Sequence, residues 1–108
     1  MKKSILLRLA LLAAASIALS NLAFAADAAA NWKAKCAACH APDGKGKKAL
    51  GTTDYTSADV QAKFTDEAMI KTITNGVTEG SHKMPAFKDK LSADEITALL
   101  AHIRSLKK

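Results

Sequence analysis

Apolar side chains recur at helical spacing along the C-terminal part of the chain. Ser92 and Glu95 form a Ser-x-x-Glu capping box, which is typical of the first turn of a helix. Apolar residues with the period of one helix face then follow: Ile96, Leu99, Leu100, Ile103 and Leu106. Basic residues close the segment, which suits the negative end of a helix dipole. The pattern predicts a helix that begins after Ser92 and packs one face against a core.

A second helix is predicted upstream of the first pattern. Thr65 is placed to cap it, and Gly76 directly follows Asn75 and can end it with a positive φ. Its inward stripe is Met69, Ile70 and Ile73. Residues 77–90, which follow, are predicted to form a loop, because Gly80 and Pro85 interrupt regular secondary structure there.

An alanine-rich segment over about 27–38 predicts a further helix at the start of the domain. Asp27 is its expected N-cap, and Trp32 is its one large side chain. Residues 41–63 lack a helical period, although 57–63 can form one short turn. A loop of this length is uncommon in a small domain unless it has a function, such as wrapping a bound group. No strand pattern and no internal repeat is visible in the sequence.

Residues 1–25 have the three parts of a secretory signal peptide. A positively charged start, an apolar stretch over 9–19 and the small-residue end Ala23-Phe24-Ala25 follow one another. The apolar stretch is shorter than the about 20 residues that cross a bilayer, and an uncleaved anchor is the alternative. We predict cleavage between Ala25 and Ala26. Residues 26–108 then form one periplasmic domain with no membrane span.

Removal of the signal peptide lowers the net positive charge of the chain. It takes away three of the 16 basic residues and none of the ten acidic ones, so the formal charge falls from +6 to +3. The lysines are scattered and aromatic residues are few, which argues against nucleic acid as a partner. A mildly basic surface suits acidic protein partners. Domains this small usually add a disulfide, a metal or a large cofactor to a small core.

The only two cysteines of the chain stand in the run Cys36-Ala37-Ala38-Cys39-His40. Cys-x-x-Cys-His is the attachment signature of c-type haem. Two cysteines three apart near a helical turn can each bond one vinyl group of the same porphyrin, and the following histidine can ligate the iron. We therefore predict one covalent haem c on Cys36 and Cys39, with His40 as an axial iron ligand.

Other uses of the cysteine pair carry less support. A thioredoxin-like redox pair needs a βαβ pattern, which is not visible. A zinc site needs four ligands, and only one pair of cysteines exists. A local disulfide would close so short a loop that it would stabilise the fold little.

Met84 is the predicted second axial ligand. It precedes a proline in a loop far from His40 in sequence, and His/Met ligation is typical of electron carriers and raises the reduction potential. Met69 lies on the apolar helix stripe, where core packing explains it. His82 and Lys83 stand beside Met84 and are the alternatives that could replace it.

With these residues in place, the chain resembles the class I c-type cytochromes, close to their short bacterial and algal members. The matching runs are Cys36 to His40, Lys83-Met84-Pro85-Ala86-Phe87 and Leu91-Ser92-Ala93-Asp94-Glu95. The resemblance spans nearly all of residues 26–108. It implies an all-α fold in which three main helices wrap around one covalently attached haem, the first and last helices cross, and His40 and Met84 are the axial ligands.

The sequence departs from this family at three positions. Ala28 stands where the family usually has a glycine at the helix crossing, and His102 replaces an aromatic partner on the last helix. We expect His102 to pack near Trp32. Lys48 replaces a proline whose carbonyl orients the proximal histidine, and we expect the Lys48 carbonyl to keep that bond.

The sequence thus predicts a periplasmic, monomeric, monohaem electron carrier that is not an enzyme. The expected partners are redox proteins, an electron donor and an electron acceptor, among membrane respiratory complexes or soluble reductases. Two other classes stay open at this point. One is a haem-based ligand-binding or sensor protein with a weak or absent Met84 bond, and the other is an enzyme subunit that works within a larger complex.

Overall fold

The computed structural model describes residues 27–108, so the predicted signal peptide and cleavage site lie outside the described residues. This part of the chain contains the helices α1 over 27–40, α2 over Ala58–Lys63, α3 over Asp66–Asn75 and α4 over Ala93–Ser105, and a single 3₁₀ turn over Lys48–Leu50. Within it there is no strand, and one antiparallel bridge joins Val77 to Met84. The all-α prediction is confirmed. No helix in residues 27–108 has the length and apolar character needed to cross a membrane.

The first helix, α1, differs in its middle from the regular helix that the alanine content predicts. It is α-helical over 27–31, π-helical over Trp32–Cys36 and α-helical again over Ala37–His40. The widened turn is closed by the Ala37 N–H, which donates to the Trp32 carbonyl. Such π-turns are rare and are frequent at functional sites. Here the turn has both of its ends, Trp32 and Cys36, buried in the core.

The helices α3 and α4 begin as the sequence predicts. The Thr65 side chain accepts the Ala68 N–H at 3.1 Å at the start of α3. At the start of α4, the Ser92 Oγ accepts the Glu95 N–H at 3.1 Å and the Glu95 carboxylate accepts the Ser92 N–H at 3.0 Å. The predicted capping box is therefore confirmed. The short helix α2 is the turn predicted over 57–63.

The helices enclose one apolar core. Its buried members are Trp32, Cys36, Ala37, Met69, Ile73, Phe87, Leu91, Ile96, Leu99, Leu100 and Ile103. The predicted inward stripes of α3 and α4 supply most of these residues, while Ile70 and Leu106 are only partly buried. The first and last helices meet through two contacts: Asn31 donates to the Glu95 carboxylate at 3.3 Å, and the rings of Trp32 and His102 lie 5.7 Å apart. The expected packing of His102 near Trp32 is confirmed.

A buried glutamine ties three parts of the chain together. Gln61 is 5 % exposed, and its Nε2 donates to the carbonyls of Tyr55 at 2.7 Å and Ile103 at 2.8 Å. Arg104 donates to the Gln61 Oε1 at 2.9 Å and forms an ion pair with Asp66 at 3.0 Å. Gln61 therefore holds the loop before α2 against the C-terminal half of α4.

Candidate haem site

A cavity of about 550 Å³, part of which is open to solvent, lies in the middle of the core. The cavity is lined by Trp32, Cys36, His40, Tyr55, Phe64, Met69, Thr72, Ile73, Met84, Leu99 and Ile103. Four of these eleven side chains are hydrocarbon, and seven carry an N, O or S atom: Trp32, Cys36, His40, Tyr55, Met69, Thr72 and Met84.

The two cysteines of the attachment motif differ in their surroundings. Cys36 is buried and lines the cavity, whereas Cys39 is exposed and is not part of the lining. Both thiols are free of disulfide bonds. Burial raises the pKa of the Cys36 thiol to about 11, because the interior disfavours the thiolate and the nearby Lys35 charge offsets this only in part. The structure thus places the Cys36 thiol at the cavity wall and the Cys39 thiol outside the lining, on the same helix.

His40 is the last residue of α1 and also lines the cavity. The rings of Trp32 and Tyr55 flank its imidazole, each at a centroid distance of 5.8 Å. Burial lowers the pKa of His40, because the cationic imidazolium is the form that the interior disfavours. The neutral imidazole is the form that ligates a metal.

The buried Nδ1 of His40 has no hydrogen-bond partner among residues 27–108. The Lys48 carbonyl, which we expected to orient this ring, instead accepts the Gly51 N–H at 3.2 Å and closes a 3₁₀ turn. That expectation is not met, since neither Lys48 nor any other residue of 27–108 accepts a hydrogen bond from this nitrogen. A histidine that ligates a metal through one ring nitrogen usually donates the other to a carbonyl, a carboxylate or water, and no residue of 27–108 accepts that bond from His40 Nδ1.

Met84 reaches the cavity from the loop that follows α3. Its backbone is paired with Val77 by two hydrogen bonds of 2.9 and 3.0 Å, and its side chain is half-buried against the core. Met69 is buried and lines the same cavity from α3. The cavity therefore brings together both thioethers of the described chain. His82 and Lys83, the alternatives to Met84, are exposed and absent from the lining.

Sequence reasoning missed part of the cavity wall. Tyr55, in the long loop, lines the cavity, and burial raises the pKa of its hydroxyl in spite of a hydrogen bond with Thr53. Phe64 and Thr72 also contribute. Tyr55 is the one tyrosine of the chain, and its place in a loop too long for a small domain is the signal that could have identified it.

The donor set fits a covalently attached haem. Two free thiols lie three residues apart on one helix, a neutral imidazole follows directly, and a thioether enters from a distant loop. The all-α fold and this cavity define a small c-type haem protein.

Comparison with known proteins agrees with this class. The family model described as "Cytochrome C oxidase, cbb3-type, subunit III" matches residues 23–103. The protein "Cytochrome c6" of Leptolyngbya boryana is 40% identical over 81 residues, which cover 72% of this chain and 91% of that protein. The chain therefore belongs to the c-type cytochrome family, as a small class I member that binds haem c covalently and carries electrons.

Two further similarities bear on this placement. The "KustC0563 c-type cytochrome" structure superposes with a TM-score of 0.65 at 31% identity, covering 74% of this chain and 96% of that one. The "Cbb3-type cytochrome c oxidase subunit CcoP" of Rubrivivax gelatinosus is 38% identical over 73 residues, which are 68% of this chain. Those residues are 23% of the CcoP chain, so the similarity concerns one segment of that larger protein.

Proposed function

We propose that this chain is a periplasmic monohaem cytochrome that carries single electrons through a haem with His40 and Met84 as axial iron ligands. Cys36 and Cys39 would form the two thioether bonds to the haem. The observation that carries the proposal is that Met84 lines the same cavity as Cys36 and His40, although it lies in a loop far from them in sequence. When bound, the haem supplies one-electron chemistry that the side chains lack.

The residues around the cavity have distinct roles in this proposal. His40 provides a neutral imidazole, and Met84 provides a thioether that favours ferrous iron and so raises the potential. Leu99 and Ile103 are buried members of the lining and exclude water from the site. Two strong ligands and a dry pocket limit rearrangement between oxidation states, which suits electron transfer better than catalysis.

The proposed location and partners rest on the sequence and the relatives. Residues 1–25 have the pattern of a secretory signal peptide, which favours the periplasm. Similarity to a segment of a cbb3-type oxidase subunit favours a membrane respiratory complex as one redox partner. The formal charge of +3 after signal removal favours acidic surfaces on the donor and the acceptor. We propose that the carrier is a monomer and not an enzyme.

Met84→Ala tests the proposed ligation directly. We expect the oxidised variant to lose the weak sulfur-to-iron charge-transfer band, and the reduced variant to bind carbon monoxide readily. We expect the reduction potential of the variant to be lower than that of the parent, because the thioether that favours ferrous iron is gone. Axial ligands set haem potentials over a range of roughly 0.8 V. Optical spectra, carbon monoxide titration and redox titration of the holoprotein measure these changes.

Met69→Leu is the matched control for Met84→Ala, because Met69 lines the same cavity and carries the other thioether. It conserves volume and is expected to keep the band and the potential at a stability cost below about 1.5 kcal/mol. Loss of the band in Met69→Leu but not in Met84→Ala would reverse the assignment of the two methionines. A parent protein that binds carbon monoxide readily would favour a ligand-binding or sensor function instead.

A further inference from the structure

The loop that carries Met84 is fastened to the C-terminal end of α3. The Val77 N–H donates to the Met84 carbonyl at 2.9 Å, and the Met84 N–H donates back to the Val77 carbonyl at 3.0 Å. Three residues further on, the Phe87 N–H donates to the Ile73 carbonyl at 3.0 Å. The backbone on both sides of the Met84 thioether is thus fixed to the helix end and its first following residues.

Gly76 lies where these two pieces of backbone come closest. Its φ of 71° and ψ of −171° belong to a region that residues with a side chain rarely adopt. A Cβ at this position would overlap the Met84 carbonyl oxygen and come within 2.8 Å of the Ala86 nitrogen. Both of these are backbone atoms and cannot turn aside as a flexible side chain can. Any side chain at residue 76 therefore requires the Met84–Ala86 backbone to move away from the end of α3.

We propose that Gly76 is the residue that positions Met84 for iron ligation. This inference rests on the proposed function, because it concerns the methionine ligand assigned there. Functional groups must be held to within about 0.5 Å of their productive geometry, and the overlap at residue 76 is large enough to exceed this tolerance. Gly76 acts through the backbone of Met84 and has no contact of its own with the iron.

The same loop contains a matched control. Gly80 also has a positive φ, of 89°, but a Cβ built on it would have no neighbour within 4 Å. Gly76→Ala and Gly80→Ala therefore both place a side chain at positive φ, a conformation that L-residues other than glycine rarely adopt. They differ in the steric conflict with the Met84 backbone, which exists only at residue 76.

The test compares the holoproteins of the parent, Gly76→Ala and Gly80→Ala. The readouts are the sulfur-to-iron charge-transfer band of the oxidised protein, the reduction potential and the far-UV circular dichroism. We expect Gly76→Ala to keep its helical signal, lose the band and bind carbon monoxide when reduced. Gly80→Ala is expected to match the parent in all three readouts. Gly76→Asn serves as a second variant, because it also places a Cβ at residue 76 and so tests the same steric conflict with a different side chain.

Each outcome decides the proposal. If the parent shows the band and Gly76→Ala keeps it at an unchanged potential, Gly76 does not position Met84, and the ligation itself stands. If the parent lacks the band, Met84 ligation fails and this inference fails with it. If both Gly76 variants lose helical signal while Gly80→Ala keeps it, Gly76 supports the whole fold, and the specific positioning role is overturned.

Discussion

Replacing Gln61 by methionine removes an amide from the interior while keeping a side chain of similar length and helix propensity. The lost amide donates to the carbonyls of Tyr55 and Ile103, at 2.7 and 2.8 Å, and accepts from Arg104 at 2.9 Å. Gln61 is 5 % exposed, so water cannot take the place of these bonds unless the interior opens. The stability lost in this variant therefore measures how much the hydrogen bonds of the Gln61 amide contribute to holding the loop with Tyr55 against α4.

The expected loss follows from what each partner of Gln61 keeps. The Tyr55 carbonyl loses its amide donor in a partly buried bond, and an acceptor left without a partner in the interior costs about 1–3 kcal/mol. The Ile103 carbonyl still accepts the Leu106 N–H at 3.1 Å. Arg104 still donates to the backbone carbonyl of residue 61 at 2.6 Å. These two partial losses add about 0.5 kcal/mol each, so we expect the free energy of unfolding to fall by about 2–4 kcal/mol.

Urea unfolding of the holoprotein, followed by far-UV circular dichroism, measures this loss. Lys63→Met is the matched control, because it places the same side chain at the exposed end of the same short helix. It is expected to change the free energy of unfolding by less than about 0.5 kcal/mol. A loss of less than about 1 kcal/mol in Gln61→Met would refute the reasoning, because it would mean that the Tyr55 carbonyl finds another donor.

Two further predictions concern the loop after α1 and the contact between α1 and α4. The Thr52 hydroxyl donates to the Cys39 carbonyl at 2.7 Å and accepts the Lys47 N–H at 2.6 Å, so Thr52→Val is expected to lower the free energy of unfolding by about 1 kcal/mol in urea unfolding. Thr52→Ser keeps the hydroxyl and is the control; equal stability of the two variants would contradict the prediction. Hydrogen bonds from Ser92 and Asn31 lower the pKa of Glu95 from its ordinary value of 4.5. The contribution of the Glu95 carboxylate to folding stability is therefore present above pH 4.5 and is lost as the pH falls through the lowered pKa. Glu95→Gln is expected to flatten this part of the dependence of the unfolding midpoint on pH, and an unchanged profile would count against it.

The helices that could be predicted are those that begin with a capping residue, because a cap is recognisable from a few neighbouring residues. Ser92 with Glu95, and Thr65, provide caps that act within one turn, so the sequence determines them locally. The π-turn over Trp32–Cys36 could not be foreseen, because alanine-rich sequence favours a regular helix. Gly76 has the predicted positive φ, but its ψ of −171° differs from that of a left-handed helix stop. The difference arises because the chain must turn at once to pair Val77 with Met84, which lies seven positions further along the same loop.

In the candidate site too, the residues of a short motif could be predicted, whereas contacts that depend on the course of the whole chain could not. Cys36, Cys39 and His40 are recognisable because the chemistry of attachment requires them at fixed spacing. The role of Gln61 was not predicted, because its partners are carbonyls that lie as far as 42 positions away in sequence. The Lys48 carbonyl was assigned to His40 by resemblance, whereas the structure uses it to close a local turn. A family resemblance predicts which residues are ligands more reliably than it predicts the hydrogen bonds that orient them, since those hydrogen bonds depend on the course of each loop.

Each proposed iron ligand lies beside a sharp turn of the backbone, since His40 directly precedes the turn at Ala41 and Met84 pairs with the residue that follows the turn at Gly76. Directly after His40, Ala41 has a φ of 66° and a ψ of 153°, a conformation that costs a non-glycine residue about 1–3 kcal/mol. Two backbone hydrogen bonds maintain it: the Ala41 N–H donates to the Ala37 carbonyl, and the Gly46 N–H donates to the His40 carbonyl, both at 2.9 Å. On the Met84 side, Gly76 makes the corresponding sharp turn without a side chain to strain. The ligand geometry is therefore fixed in the backbone, and the apolar interior is left to enclose the haem.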